Sequence, residues 1–223
     1  MSTALLTDQY ELTMVDAARA SGRAERHAVF EVFGRQLPPG RRFGVVAGTH
    51  RLLDAIENFH FGEEELAFLS DHAIVSDETL SWLSTYRFSG TIRGYGEGEV
   101  YFPGSPILTV EGTFGEAVLL ETLILSVLNY DSAVASAAAR MVHASDHREL
   151  IEMGARRASE YSAVAAARAA YIAGFSATSN LEAGRLYGIP TRGTAAHSFT
   201  LVHDNEEEAF AAQVASMGTN TTL

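Results

Sequence analysis

The chain changes rhythm near residue 145, and that change constrains its fold more than any other feature. Beyond it, short apolar runs alternate with helical stretches. Residues 149–153 (ELIEM), 173–177 (AGFSA) and 191–194 (TRGT) read as strands. Residues 158–173, 179–187 and 205–217 read as the helices between and after them, with Gly188-Ile189-Pro190 as one stop signal. Three successive strand–helix units predict a parallel sheet or barrel. A complete eight-stranded barrel needs roughly 250 residues, whereas residues 145–223 suffice for about three units. Thr221-Thr222-Leu223 read as the start of a fourth strand, so a truncated barrel is expected.

The first 144 residues are mixed. Residues 7–20 are spaced for a helix, with Thr7 or Asp8 as N-cap and Tyr10, Met14, Ala17 and Ala18 as its apolar positions. Residues 28–33 (AVFEVF) alternate as a strand does, Pro38-Pro39-Gly40 marks a turn, and residues 43–46 restart a strand. Residues 48–59, 63–69 and 77–86 read as helices. Residues 88–112 alternate apolar and polar side chains between glycines and prolines, as two or three antiparallel strands would. Residues 115–141 read as one long buried helix. The fold class expected is therefore α/β: an α+β domain over 1–144, then the first three βα units of an irregular, incomplete TIM-like barrel over 145–223.

Composition narrows the chemistry. There is no cysteine, which removes disulfides, zinc ribbons and thiol catalysis. All 16 basic residues are arginine. Without lysine there is no Walker A loop and no Schiff base, so anion recognition falls to arginine, backbone amides and hydroxyls. A net charge of −12 argues against general nucleic-acid binding. No apolar run reads as long and clean enough to span a bilayer, and the N-terminus does not read as a signal peptide, so the cytoplasm is the expected compartment.

Candidate chemistry gathers after the three late strands, where a βα barrel builds its active site. Arg156 and Arg157 follow the first strand. They are either a fork for a carboxylate or phosphate, or a solvated pair at a helix start. Thr178-Ser179-Asn180 follows the second, where an ordinary N-cap competes with a pocket lining. Gly193-Thr194-Ala195-Ala196-His197-Ser198 follows the third, small enough for a ligand to approach the backbone. His143 and His147 read better as surface loop than as a metal pair, and Gly94, Gly96 and Gly98 as a bulge or tight hairpin, since no helix follows them. Glu206-Glu207-Glu208 reads as a solvated helix start.

Four segments together, LLTDQYELTM (5–14), EGEVYFPGSPILTVEG (97–112), IEMGARR (151–157) and GTAAHSF (193–199), resemble the nicotinate phosphoribosyltransferase family in order and spacing. AVFEVFGRQLP (28–38) and GFSATSNLEA (174–183) fit as well. The resemblance implies transfer of phosphoribosyl from 5-phosphoribosyl 1-diphosphate to nicotinate, giving nicotinate mononucleotide and diphosphate in NAD biosynthesis. It implies ATP and Mg²⁺, with ATP hydrolysis coupled through a phosphohistidine at His197. It also implies Tyr10 stacking on the pyridine ring from the other subunit of a homodimer, Thr194 lining the nicotinate site, and Arg156 facing the ring or its carboxylate. Arg157, Asn180 and Ser198 would be further substrate contacts. No metal ligand is assigned. A quinolinate-type relative is disfavoured by the absence of lysine, and a nicotinamide-type one by Thr178-Ser179-Asn180 where an acidic residue would meet the carboxamide. A catalytically inactive remnant or interaction module is the alternative of a different class.

Overall fold

The computed structural model describes residues 2–218. The expected fourth strand at 221–223 lies outside them. The elements are α1 (Gln9–Ala20), β1 (His27–Phe33), β2 (Gly44–Val45), α2 (Thr49–Glu57), α3 (Glu63–Asp71) and α4 (Asp77–Leu83). There follow β3 (Thr91–Gly94), β4 (Val100–Tyr101), β5 (Pro106–Thr113), α5 (Phe114–Val118), α6 (Glu121–Ala144) and β6 (Ile151–Glu152). A 3-10 turn (Ala155–Arg157), α7 (Glu160–Ile172), β7 (Ala177–Thr178), α8 (Leu181–Tyr187), α9 (His197–Leu201) and α10 (Glu206–Met217) complete the order. The α/β class expected from the sequence is the one observed.

β5 is the central strand of an antiparallel sheet of order β1-β5-β3, with Phe30 opposite Val110 and Ile92 opposite the same residue. Its Ile107, Leu108 and Val110 are buried. β1 turns Phe30 and Val32 toward the core and His27, Val29, Glu31 and Phe33 outward, as period-two alternation requires. β2 pairs with β4 in a separate ribbon. Between β3 and β4, Gly98 adopts φ +90° and donates its N–H to the Val46 carbonyl at 2.8 Å; the glycine run is a turn between strands of two different sheets and not the bulge or tight hairpin expected.

Two helical expectations are corrected. The buried face of α1 is Glu11, Leu12 and Val15, while Tyr10, Met14 and Ala17 are exposed. Either stripe satisfies helical spacing, and only contact with the rest of the chain selects one. Residues 115–141 are not one helix. The chain turns at Leu119 and Leu120, both fully buried, before α6 begins. The Leu119 carbonyl accepts the Thr7 hydroxyl at 3.3 Å, and the Thr122 N–H of the new helix finds the Glu11 carboxylate at 2.9 Å. Helix ends freed in the interior need such partners.

By length and composition α6 could cross a membrane, contrary to the sequence expectation. Its polar residues show it to be a core helix instead. Asp131 makes two hydrogen bonds with Arg51 of α2, and the Ser136 and Ser132 hydroxyls accept the Val45 and Ala47 amides of the β2 segment at 2.8 and 3.2 Å. The two serines lie one turn apart, so a single helix face serves alternate amides of one strand.

After α6, β6 and β7 pair in parallel, Ile151 with Ala177 and Glu152 with Thr178. The expected strand at 191–194 is reduced to one parallel bridge, Thr191 to Thr178. α7 packs on α6, with the Tyr130 hydroxyl donating to the Ser162 carbonyl at 3.2 Å. α10 is capped by Asn205, whose side-chain oxygen accepts the Glu208 N–H, and its acidic first turn suits the helix dipole.

Candidate active site

Parallel pairing of β6, β7 and Thr191 sends three loops out at one end of the ladder. The first carries Arg156 and Arg157 on the 3-10 turn, closed by the Arg157 N–H donating to the Gly154 carbonyl at 2.8 Å. Both arginines are exposed. Among the described residues neither guanidinium has an ion-pair or side-chain hydrogen-bond partner. The second loop carries Ser179 and Asn180. The third carries Thr194, His197 and Ser198, all exposed. His197 was expected in a loop; it opens the short α9 instead.

These loops are tied together at their roots. The Thr178 N–H donates to the Pro190 carbonyl and its own carbonyl accepts the Arg192 N–H, at 3.0 and 2.9 Å, which holds the third loop to the second. The Ser179 N–H donates to the Glu152 carbonyl at 2.9 Å, which holds the second to the first. Asn180 serves as helix cap: its Oδ1 accepts the Ala183 N–H at 2.9 Å, so the capping reading of this residue describes its side-chain oxygen.

Tyr10 lies elsewhere along the chain. The residue is 45% exposed on α1, and its hydroxyl donates to Glu121 Oε1 at 3.1 Å. Burial first, then the Glu121 carboxylate, raises its hydroxyl above the ordinary phenol value. Its hydrogen bond therefore goes to the first turn of α6 and not to the strand-end loops. A cleft of about 1010 Å³ runs between β1 and α6, lined by Phe30, Val32, Ile124, Leu128 and also Glu121. It is largely apolar and does not include the strand-end residues, so volume and chemistry point to different places. The chemistry decides: unpaired guanidiniums, hydroxyls and an imidazole sit at the strand ends, where a barrel acts.

Two residues of this region escaped the sequence reading. Arg192, exposed beside Thr191, adds a third guanidinium to the same end. Glu152 ends β6, and its carboxylate accepts both the Gly154 N–H and the Thr178 hydroxyl. The strand-like alternation of ELIEM was the available signal for Glu152, since it sets that side chain on the face shared with its register partner Thr178. His143 lies in the last turn of α6 and not in the surface loop expected, and His147 lies exposed in the following turn, with no metal-binding group of three among the described residues.

The family model described as the nicotinate phosphoribosyltransferase (NAPRTase) N-terminal domain matches residues 5–129. The chain belongs to the nicotinate phosphoribosyltransferase family. It is 56% identical over 227 residues to a nicotinate phosphoribosyltransferase of Mycobacterium tuberculosis, covering 98% of this chain and 50% of that protein. It is 37% identical over 210 residues to the Bacillus subtilis nicotinate phosphoribosyltransferase, covering 94% of this chain and 43% of that one. The crystal structure of human nicotinic acid phosphoribosyltransferase superimposes with a TM-score of 0.81 at 35% identity, over 88% of this chain and 40% of the human one. The chain thus spans about half the length of the curated relatives it matches.

Proposed function

We propose that the protein carrying this chain joins nicotinate to the ribosyl carbon of 5-phosphoribosyl 1-diphosphate, releasing diphosphate and forming nicotinate mononucleotide, a step of NAD biosynthesis. Family membership supports the reaction class. The observation that carries the assignment to these residues is the pair of guanidiniums, Arg156 and Arg157, unpartnered among the described residues, at the same end of the parallel ladder as Thr194 and His197, with the loop after β7 between them.

A flat aromatic acid is met by a guanidinium fork on its carboxylate and by hydroxyl and backbone groups along its ring. In this reading Arg156 takes the carboxylate, Arg157 and Ser198 assist, and Thr194 lines the ring. Displacement at the ribosyl carbon passes through an oxocarbenium-like state, so positioning and charge stabilisation dominate. His197 is the phosphorylated residue. Its imidazole nitrogen attacks the γ-phosphorus of ATP, the bond to the β-phosphate oxygen breaks, and ADP leaves. Water later cleaves the phosphorus–nitrogen bond. Mg²⁺, for which this chain assigns no ligand, would come with the phosphorylated substrates and would supply charge neutralisation there. Tyr10, exposed on α1, offers its ring to the site of a second subunit, which makes the active enzyme a homodimer.

The test is formation of nicotinate mononucleotide by the intact gene product, with and without ATP. Product that depends on nicotinate and rises with ATP is expected. No product from nicotinate, with turnover of nicotinamide or quinolinate instead, would overturn the assignment.

A further inference from the structure

Backbone hydrogen bonds join the three strand-end loops at their roots, and one side chain adds a tie between the first two. We propose that Glu152 is a positioning residue for the Arg156–Arg157 turn, holding it against the loop that follows β7; the catalytic consequence rests on the function proposed above.

Glu152 and Thr178 are register partners on adjacent parallel strands, so their side chains leave the ladder on one face. Glu152 Oε2 accepts the Thr178 hydroxyl at 2.9 Å. Glu152 Oε1 accepts the Gly154 N–H, two residues farther along and inside the arginine loop. Thr178 is fully buried, and its Oγ1 also accepts the Asn180 N–H at 3.0 Å. One carboxylate therefore links an amide of the first loop to a hydroxyl that holds an amide of the second. Hydrogen bonds to an ionised acceptor are about twice as strong as neutral ones, and a linked chain reinforces each member.

Gly154 fits the same logic. Its backbone, at φ −83° and ψ 3°, does not require glycine. A Cβ there would lie 2.8 Å from Glu152 Oε1. A Cβ would thus crowd the carboxylate in its present position, which the flexible Glu152 side chain could relieve only by moving its oxygen. Arg156 and Arg157 follow immediately on the turn closed at Gly154, so displacing that residue redirects both guanidiniums.

The experiment has two arms. In the intact enzyme, Glu152→Ala and Thr178→Val should raise the nicotinate KM by about tenfold or more while the KM for the phosphoribosyl donor stays within about twofold, and Glu152→Gln, which still accepts the Gly154 amide, should recover most of the loss. In the same intact enzyme without substrates, amide hydrogen exchange at Gly154 should accelerate about tenfold or more in Glu152→Ala while Arg192 stays protected. Unchanged exchange at Gly154 overturns the clamp whatever the enzyme does. Equal rises in both KM values, unrescued by glutamine, overturn the positioning role. If the wild-type enzyme makes no nicotinate mononucleotide, the function fails and the exchange arm still judges the clamp.

Discussion

Arg168 of α7 meets Glu97 through two hydrogen bonds of 2.7 Å each, and Glu97 also accepts the Gly48 N–H that opens α2. The side chains are 12% and 18% exposed. One ion pair thus fastens the βα units to the turn before β4. Burial pushes the Glu97 carboxyl up, but the Arg168 hydrogen bonds and charge, with backbone amides, outweigh it and hold the group below the ordinary carboxylate value. A carboxyl depressed on folding adds stability that is present above its unfolded value and lost as pH falls through its folded one. Arg168→Met should therefore cost about 2–3 kcal/mol at neutral pH, somewhat less than breaking a fully buried pair. Urea unfolding should show the deficit shrinking at acid pH. A deficit constant with pH would contradict the ion pair as its source.

Glu11 should behave in the opposite sense. It is 0% exposed; Oε1 accepts the Thr122 N–H and hydroxyl, and Oε2 has no partner among the described residues. Burial raises its carboxyl, the Thr122 hydrogen bonds opposing but not cancelling it. A carboxyl raised on folding adds stability that is complete below its unfolded value and lost as pH rises through its folded one. Glu11→Gln keeps an acceptor for Thr122 and removes the buried charge. Its unfolding midpoint should exceed wild type at pH 7–8, by about 1 kcal/mol, with the gap closing near pH 4. A glutamine variant weaker than wild type at neutral pH would show that the ionised form is needed.

His197→Ala in the intact enzyme should abolish phosphate incorporation from γ-labelled ATP and remove ATP stimulation. The phosphorylated species should be acid-labile, as a phosphorus–nitrogen bond is. Persistent labelling in the variant would move the phosphorylation site elsewhere.

Arg156→Ala should raise the nicotinate KM by about 10- to 100-fold, the worth of a charge-assisted hydrogen bond, with a much smaller change for the phosphoribosyl donor. Arg157→Ala should do less. Steady-state kinetics with each substrate varied decides it; equal losses for both substrates would make Arg156 a general structural residue.

Asn180→Ala should cost about 1 kcal/mol of stability through loss of the α8 cap. Its nicotinate KM should stay within about twofold of wild type, far below the loss expected at Arg156. A large KM effect at unchanged stability would make Asn180 a substrate contact as well as a cap.

The sequence alone carried whatever depends on neighbours a few residues apart. Alternation along AVFEVF, the glycine and proline stops at 188–190, and the strand–helix rhythm after 145 all reflect local periodicity, which a chain displays before it folds. The same locality placed Arg156 after the first of the three expected strands, and Thr194 and His197 after the third. Tertiary structure decided whatever needed a distant partner. Which stripe of α1 is buried, and where the helix breaks at Leu119–Leu120, follow from Glu11 meeting Thr122 111 positions away. The ion pair of Glu97 and Arg168 spans 71 positions, and the Glu152–Thr178 tie spans 26. A carboxylate in a sequence does not name its donors; only packing, which excludes water and limits which donors come within reach, selects them.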